Sequence, residues 1–371
     1  MITFLPLSYT HIHTYTHTNK KMSTEPAFAP IYLGIGNPLL DITVPSTPEY
    51  LAKFKLTAGS AIIADDSHLP IYADCVANPE VRYSAGGASM NTARAVQWML
   101  QDTPNATAFI GCTGMDPTSE TLIKAVKGAG VHPLLMRTDK AEAGKCAVLV
   151  TDSERTLVTH LGAAELYSKK DHMDHCPDVR AAMDSAKVIY SEGFFTTVSE
   201  EALVALGEKA AKDDKTFMFN ISAQFLVNFF WDKMMHVIKY VDFIFCNETE
   251  AQTVAKKLGW PVDDLKDIAK RMANLEKINT KKPRTVVITH GSEETVVCSQ
   301  DGEARTFSPI KTPKEKIADT NGCGDSFVGG FISQFLKDAP IETCVAAGHY
   351  CAWKCLQEAG CTYVGVPDFK P

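Results

Sequence analysis

The sequence predicts an α/β protein: a doubly wound, mostly parallel sheet flanked by helices, with a small β-sheet lid beside it. Three observations carry that expectation. From residue 31 onward, β-branched apolar runs alternate with segments of helical periodicity. Polar and glycine-containing residues recur where the apolar runs end. One segment, 146–162, breaks the rhythm with two consecutive alternating runs. Strand–helix alternation marks this class because crossover helices cover both faces of a parallel sheet.

Taken in order, "YLGIGNPLLDITV" (32–44) reads as a strand and turn, and "SMNTARAVQWML" (89–100) as a helix. "ATAFIGC" (106–112) reads as a strand and "SETLIKAVKGAG" (119–130) as a helix. "CAVLVTDSERTLVTHLG" (146–162) makes a hairpin around Asp152–Glu154, which is part of the expected lid. "AKVIYSEG" (186–193) is a strand and "SEEALVALGEKAAK" (199–212) a helix. The strands "KTFMFNIS" (215–222) and "YVDFIFCNE" (240–248) precede the helices "TEAQTVAKKLG" (249–259) and "DDLKDIAKRMANLEK" (263–277). "RTVVITHG" (284–291) is a further strand. No internal repeat or low-complexity linker interrupts the pattern, so one catalytic unit is expected.

Composition narrows the function classes. At 371 residues the chain can build one large domain or two. Its 45% hydrophobic and 22% charged residues are those of an ordinary globular protein. A net charge of -7 argues against nucleic acid as the main partner, which requires a basic face. No apolar run approaches the roughly 18–20 residues that cross a bilayer, so no membrane span is expected. Eleven cysteines, an odd count without any CxxC pair, predict reduced thiols in the cytoplasm. Residues 1–30 differ in being rich in threonine and histidine, including His11, His13 and His17. They read as a disordered N-terminal extension, with Met22 an alternative start.

In open α/β sheets, ligands bind outside the carboxyl ends of the strands. There the sequence places "GCTGMD" (111–116), "SEGFF" (191–195), "NETE" (247–250) and "THGSEE" (289–294). Among the common phosphate loops, GxxxxGK[ST] is absent, and "GIGNPL" (34–39) fails GxGxxG at its last position. The HRD and DFG elements of protein kinases and the GxSxG elbow are also missing. "DTNGCGD" (319–325) remains. Asp319 or Thr320 can cap a helix there. The glycines flanking Cys323 can instead let backbone N–H groups approach an anion, beside a carboxylate suited to taking a proton. Both a cap and a phosphoryl-transfer centre are open at this point.

"GGASMN" (86–91), "GCTGMD" and "DTNGCGD", in that order, resemble the signatures of the ribokinase-like carbohydrate kinases. "GNPLLDI" (36–42), "VQWM" (96–99), "GFFTTVS" (193–199), "NISAQF" (220–225), "NETEA" (247–251) and "AGHY" (347–350) are similar to the branch of that family acting on adenosine. The resemblance covers essentially all of residues 31–371. It implies a ribokinase-like catalytic domain over 31–371, with a lid formed in part by about 32–45, 57–65, 80–87 and 142–162. It further implies a monomer with ATP as phosphoryl donor, Mg²⁺ as cofactor and the adenosine 5′-hydroxyl as acceptor.

By the same resemblance Asp325 is the general base, and the backbone of Gly322, Cys323 and Gly324 holds the charge of the transferring group. Arg155, on the hairpin, is a phosphate clamp. Asn37, Asp41, Gly86, Gly87, Asn91 and Asn321 form the sugar pocket. Asp41 also stands out by itself, because a carboxylate after an apolar strand is costly without partners. Phe194 and Phe225 wall the purine, with Leu157 and Leu161 contributed by the lid. Asn247, Thr289, Gly291 and His349 bind ATP, and Asn247 with Glu250 reaches Mg²⁺ through water. Two positions depart from the family pattern: Cys323 stands where alanine is common, and Ala88 where serine is common. A related sugar or inosine–guanosine kinase would share the phosphoryl centre. A nucleoside-binding protein without catalysis is the alternative from another class.

Overall fold

The structure is a computed structural model describing residues 29–151, 154–358 and 360–370. The readings of His11, His13, His17 and Met22, and the hairpin tip at 152–153, lie outside the described residues. Along the chain the strands are β1 (Tyr32–Ile35), β2 (Leu39–Pro45), β3 (Ala61–Ile63), β4 (Arg82–Gly86), β5 (Thr107–Thr113) and β6 (His132–Arg137). There follow β7 (Lys145–Thr151), β8 (Glu154–His160), β9 (Val188–Glu192), β10 (Thr216–Asn220) and β11 (Phe243–Asn247). The last are β12 (Thr285–His290), β13 (Glu293–Ser299) and β14 (Arg305–Phe307).

Among the described residues these strands form two sheets. The large one runs β14-β13-β12-β11-β10-β9-β1-β5-β6 and the small one β3-β8-β7-β2-β4. Pairing is parallel from β6 through to β12. β13 and β14 continue as an antiparallel edge, which the strand–helix alternation does not reveal. All seven residues of β5 and all five of β9 are buried, as expected for strands covered on both faces. Side-chain alternation divides the core. Leu33, Ile110, Ile189, Phe219 and Ile244 pack on one side of the sheet, and their neighbours Tyr32, Phe109, Tyr190, Met218 and Phe245 on the other.

The expected lid segment 32–45 is divided between the sheets. Tyr32–Ile35 are completely enclosed, and β1 pairs with β5 and β9 in the large sheet. Only β2, after the turn at Gly36–Pro38, joins the small sheet, between β7 and β4. A strand buried on both faces fits the middle of a covered sheet and not a sheet with one face open.

Strand order reverses at β1, with β5 and β6 to one side and β9 to β14 to the other. That switch point creates a crevice at the carboxyl ends of β1 and β9. The small sheet is joined to the large one there, through the turn between β1 and β2. The helix Ala88–Met99 begins immediately after β4, at Gly87.

Candidate active site

The helix Cys323–Phe335 begins at Gly322, which takes the left-handed conformation (φ 76°), and no side chain caps it. This corrects the capping role open to Asp319 and Thr320. Asp319 is only 5% exposed and is occupied elsewhere. It accepts from Asn321 N at 3.0 Å, Asn321 Nδ2 at 3.1 Å and Gly360 N at 2.9 Å. Its Oδ2 also pairs with Arg155 Nε at 2.6 Å. A helix start without a side-chain cap leaves N–H groups available to an anion. A Cβ on Gly324 would meet no atom within 4 Å. That open side belongs to a cavity of about 250 Å³ whose lining includes Gly324, Asp325, Asn247, Glu250, Thr289 and Phe194.

Asp325 lies in the first turn of this helix and accepts a 3.0 Å hydrogen bond from Asn91 Nδ2. Burial pushes its carboxyl up to about 7; the Asn91 bond opposes this, while the Glu250 and Asp41 charges add to it. A carboxylate poised near neutrality is suited to general-base work. Asp41, on β2, is also pushed up to about 7 by burial, against the pull of Arg94 and Arg155. Its Oδ1 lies 2.1 Å from where a Cβ on Gly86 would stand, so only glycine leaves room there. Gly87 has φ 95°, and its missing Cβ would fall 2.1 Å from the Asn37 carbonyl oxygen. Asn37 Oδ1 is buried without a hydrogen-bond partner. The GG turn therefore allows Asn37 and Asp41 to pack directly against it at the switch point, while Asn91 is held on Asp325; none of the three lines the cavity itself.

Phe194 and Phe225 form a tilted pair with centroids 5.9 Å apart, and Phe225 is 43% exposed. Phe194 rides on a short 3₁₀ turn, Gly193–Phe195, that follows β9. Glu192, the last residue of β9, accepts from Phe194 N at 2.8 Å and is 1% exposed. Burial pushes Glu192 up to about 8, with nearby Asp325 contributing.

Asn247 and Glu250 close a capping box on the helix Glu248–Lys257. Glu250 accepts from Asn247 N and from Asn247 Nδ2, both at 3.0 Å, while Asn247 Oδ1 accepts from Glu250 N at 2.8 Å. Both also border the cavity, and burial pushes Glu250 up to about 7. Their polar atoms are engaged with each other, yet each Glu250 oxygen accepts only one of these bonds and keeps a lone pair for a metal-bound water. Hard oxygens in this state fit an ion that keeps its water shell, which is the behaviour of Mg²⁺.

The other expected site residues are less central. Thr289 borders the cavity, and Gly291 (φ 53°) has open space around it. His349 does not line the cavity: its Nε2 lies 2.9 Å from Thr295 Oγ1, its ring packs on Phe327, and burial lowers it to about 4. Leu157 pairs within the small sheet, and neither it nor Leu161 lines the cavity. Arg155 is likewise turned to Asp319, and the Asn321 amide is held by the same carboxylate. Conversely, the cavity includes Asn220, Ser222, Phe245, Phe327 and Val328, to which the sequence reading gave no role. Position at a strand end could have flagged Asn220. Glu192 satisfies the criterion that picked out Asp41, an acid ending an apolar strand.

A family model described as pfkB family carbohydrate kinase matches residues 49–368. The chain belongs to that family. It is 42% identical over 349 residues to adenosine kinase 2 of Arabidopsis thaliana, covering 94% of this chain and 100% of that protein. The fold is similar to that of Anopheles gambiae adenosine kinase in complex with P1,P4-di(adenosine-5) tetraphosphate. There the TM-score is 0.84 at 36% identity, over 91% of this chain and 99% of the other. Schistosoma mansoni adenosine kinase, in complex with adenosine in an occluded loop conformation, gives a TM-score of 0.84 at 29% identity, over 91% and 98% of the two chains. The pfkB-family match spans both glycine-rich elements, Gly86–Gly87 and Gly322–Asp325.

Proposed function

We propose that this chain transfers the γ-phosphoryl group of ATP to the 5′-hydroxyl of adenosine, a purine-salvage reaction yielding AMP and ADP. The observation that carries the reading is Asp325 in a helix terminus without a side-chain cap, opening into a cavity that it shares with Asn247, Glu250 and Phe194. The substrate assignment is supported by similarity, along nearly the whole chain, to proteins named adenosine kinases.

In this reading Asp325 accepts the 5′-hydroxyl proton as that oxygen attacks the γ-phosphorus and the bond to the ADP oxygen breaks. Backbone N–H groups around Gly322–Gly324 hold the phosphoryl charge. Most of the catalysis is positioning and charge stabilisation, because the transition state is loose. Asp41 and Asn37 bind the ribose hydroxyls, and Phe194 and Phe225 hold the purine. Bound Mg²⁺, with its waters on Asn247 and Glu250, would supply positive charge to the phosphates. The small sheet serves as a lid, and a clamp role for Arg155 requires its ion pair with Asp319 to open. Eleven free cysteines fit a reducing, cytoplasmic compartment, and the family resemblance implies a monomer. Among the described residues no helix is long and apolar enough to cross a membrane.

The test is ATP turnover by the purified chain with adenosine, inosine, ribose or fructose as acceptor. Adenosine should be the preferred acceptor and AMP the product. Preference for a sugar or inosine would replace the substrate, and binding of adenosine without turnover would replace the reaction.

A further inference from the structure

Glu192 has no place in the phosphoryl chemistry above and does not line the cavity, yet it is buried between Phe194 and Gly36. Strand pairing sets it opposite Asn220 on β10. The β1–β9 register, Gly34 opposite Tyr190, carries it alongside Gly36 just past the end of β1. Its two oxygens lie toward different walls. Oε2 accepts from Phe194 N at 2.8 Å and so holds the turn Gly193–Phe195 that presents one purine-facing ring. Oε1 lies 3.0 Å from where a Cβ on Gly36 would stand, against the turn leading to Asn37. Ser222 Oγ accepts from Gly193 N at 3.3 Å, but the bond from Phe194 N goes to Glu192.

We infer that Glu192 is a positioning residue that braces the base wall at Phe194 against the ribose wall at Gly36–Asn37, and thereby sets affinity and size selection for the nucleoside base. The inference rests on the adenosine reading. Its essential group is an acceptor oxygen at the end of a three-bond side chain; negative charge is not required. Glutamine can supply that oxygen at the same reach, aspartate only at shorter reach, and alanine not at all. Without the brace the Phe194 N–H loses its partner, and the ring no longer has a fixed separation from the ribose contacts. Asp325 and the Gly322–Gly324 backbone belong to another element and keep their geometry.

The experiment compares Glu192→Ala, Glu192→Asp and Glu192→Gln with the parent, measuring KM for adenosine, KM for ATP, kcat and melting temperature. One hydrogen bond is the effect in question, so Glu192→Ala should raise KM for adenosine about tenfold. Its kcat and KM for ATP, compared at a pH where Asp325 is ionised so that its coupling to Glu192 does not enter, should stay within about twofold, because the phosphoryl centre is intact. Glu192→Gln should restore KM to near the parent value, with Glu192→Asp intermediate. Glu192→Ala should also discriminate less against N6-benzyladenosine relative to adenosine. An unchanged KM in Glu192→Ala, or a Glu192→Gln variant as impaired as Glu192→Ala, would overturn the brace. So would parallel losses in kcat and ATP affinity, which indicate general damage. If Glu192→Ala does not fold, Glu192→Asp against Glu192→Gln decides by the same criteria. Parent turnover of adenosine tests the functional reading separately from this series.

Discussion

Two helix N-termini meet at the same cavity and are built in opposite ways. At Glu248–Lys257 the start is closed by a reciprocal capping box, each of Asn247 and Glu250 holding the other's backbone N–H. At Cys323–Phe335 no side chain caps the start, and Gly322 takes a left-handed conformation that turns the chain into the helix. A closed terminus is stable and presents side chains whose polar atoms are already engaged. An open one gives up about 1 kcal/mol of capping and retains N–H groups for a ligand. Chemistry that must hold a moving negative charge belongs at the second, and a hydrated cation beside the first.

The largest test of that difference is Asp325→Asn. Loss of a general base costs about 10²–10⁴-fold in rate, so kcat should fall in that range. Adenosine affinity, measured by calorimetry, should change by only a small factor, since asparagine keeps an oxygen for the 5′-hydroxyl and for Asn91 while losing the base. Near-parental turnover would remove Asp325 from its role.

The open terminus can next be taken apart glycine by glycine. A methyl at Gly324 would meet no atom within 4 Å, so Gly324→Ala should fold normally. It would nevertheless stand in the cavity where phosphate is expected, and misplacement of about 1 Å costs about 10²-fold in rate. Gly322→Ala should show the reverse priority. Its φ of 76° and a Cys361 Cβ 2.8 Å from the added carbon make it a stability defect, of about 1–2 kcal/mol from the backbone conformation alone. Calorimetric melting together with turnover separates the two. If Gly324→Ala melts early but turns over normally, the assignment of open space is wrong.

The closed terminus should show itself through pH. Asp325 must be ionised to accept a proton, so kcat/KM should fall with acid below about pH 7. Glu250's negative charge raises Asp325, so Glu250→Gln should move the acid limb to lower pH. Asp41 and Glu250 also lie at about 7, so the midpoint belongs to the coupled set. An acid limb that stays in place in Glu250→Gln would show that the two termini are not electrostatically linked.

The contrast between these termini was only partly legible in the sequence. "NETE" and "DTNGCGD" both advertise a helix start, and the second also contains glycines. Which one is capped depends on where Asp319 points, and Arg155 claims it from 164 positions earlier in the chain. Spacing cannot reveal such a pair, nor the Asn91–Asp325 bond across 234 positions. β1, β5, β9, β10, β11 and β12 were readable because burial on both faces leaves apolar runs, whereas the parallel edge strand β6, mostly half-buried, was not. β4 and β3 entered only through the resemblance, as the lid segments 80–87 and 57–65, because β4 goes from exposed to buried along its five residues without alternation. β3 has only three residues. The helix Gln224–Ile238 also escaped, having non-helical dihedrals at Phe230 that break its period.

The smallest expected effect concerns Cys323, the residue between the two glycines. Its Sγ lies 3.8 Å from the Asp319 carbonyl oxygen, and the thiol is not among the groups bordering the cavity. What this position supplies to the helix start is backbone: Cys323 N donates to the Thr320 carbonyl oxygen at 3.4 Å, a bond that alanine makes equally well. Cys323→Ala should therefore keep kcat and both KM values within about twofold, since only weak sulfur contacts, to the Asp319 carbonyl and the Cys355 thiol, are lost. The same variant should resist alkylating reagents if Cys323 is the thiol whose modification blocks the parent, and ATP should slow the parent's inactivation by covering the terminus. Peptide mapping after partial inactivation identifies the modified residue. A large fall in kcat for Cys323→Ala would mean that the side chain, and not the backbone, works at the open terminus. The comparison with the closed one would then have to be redrawn around a thiol.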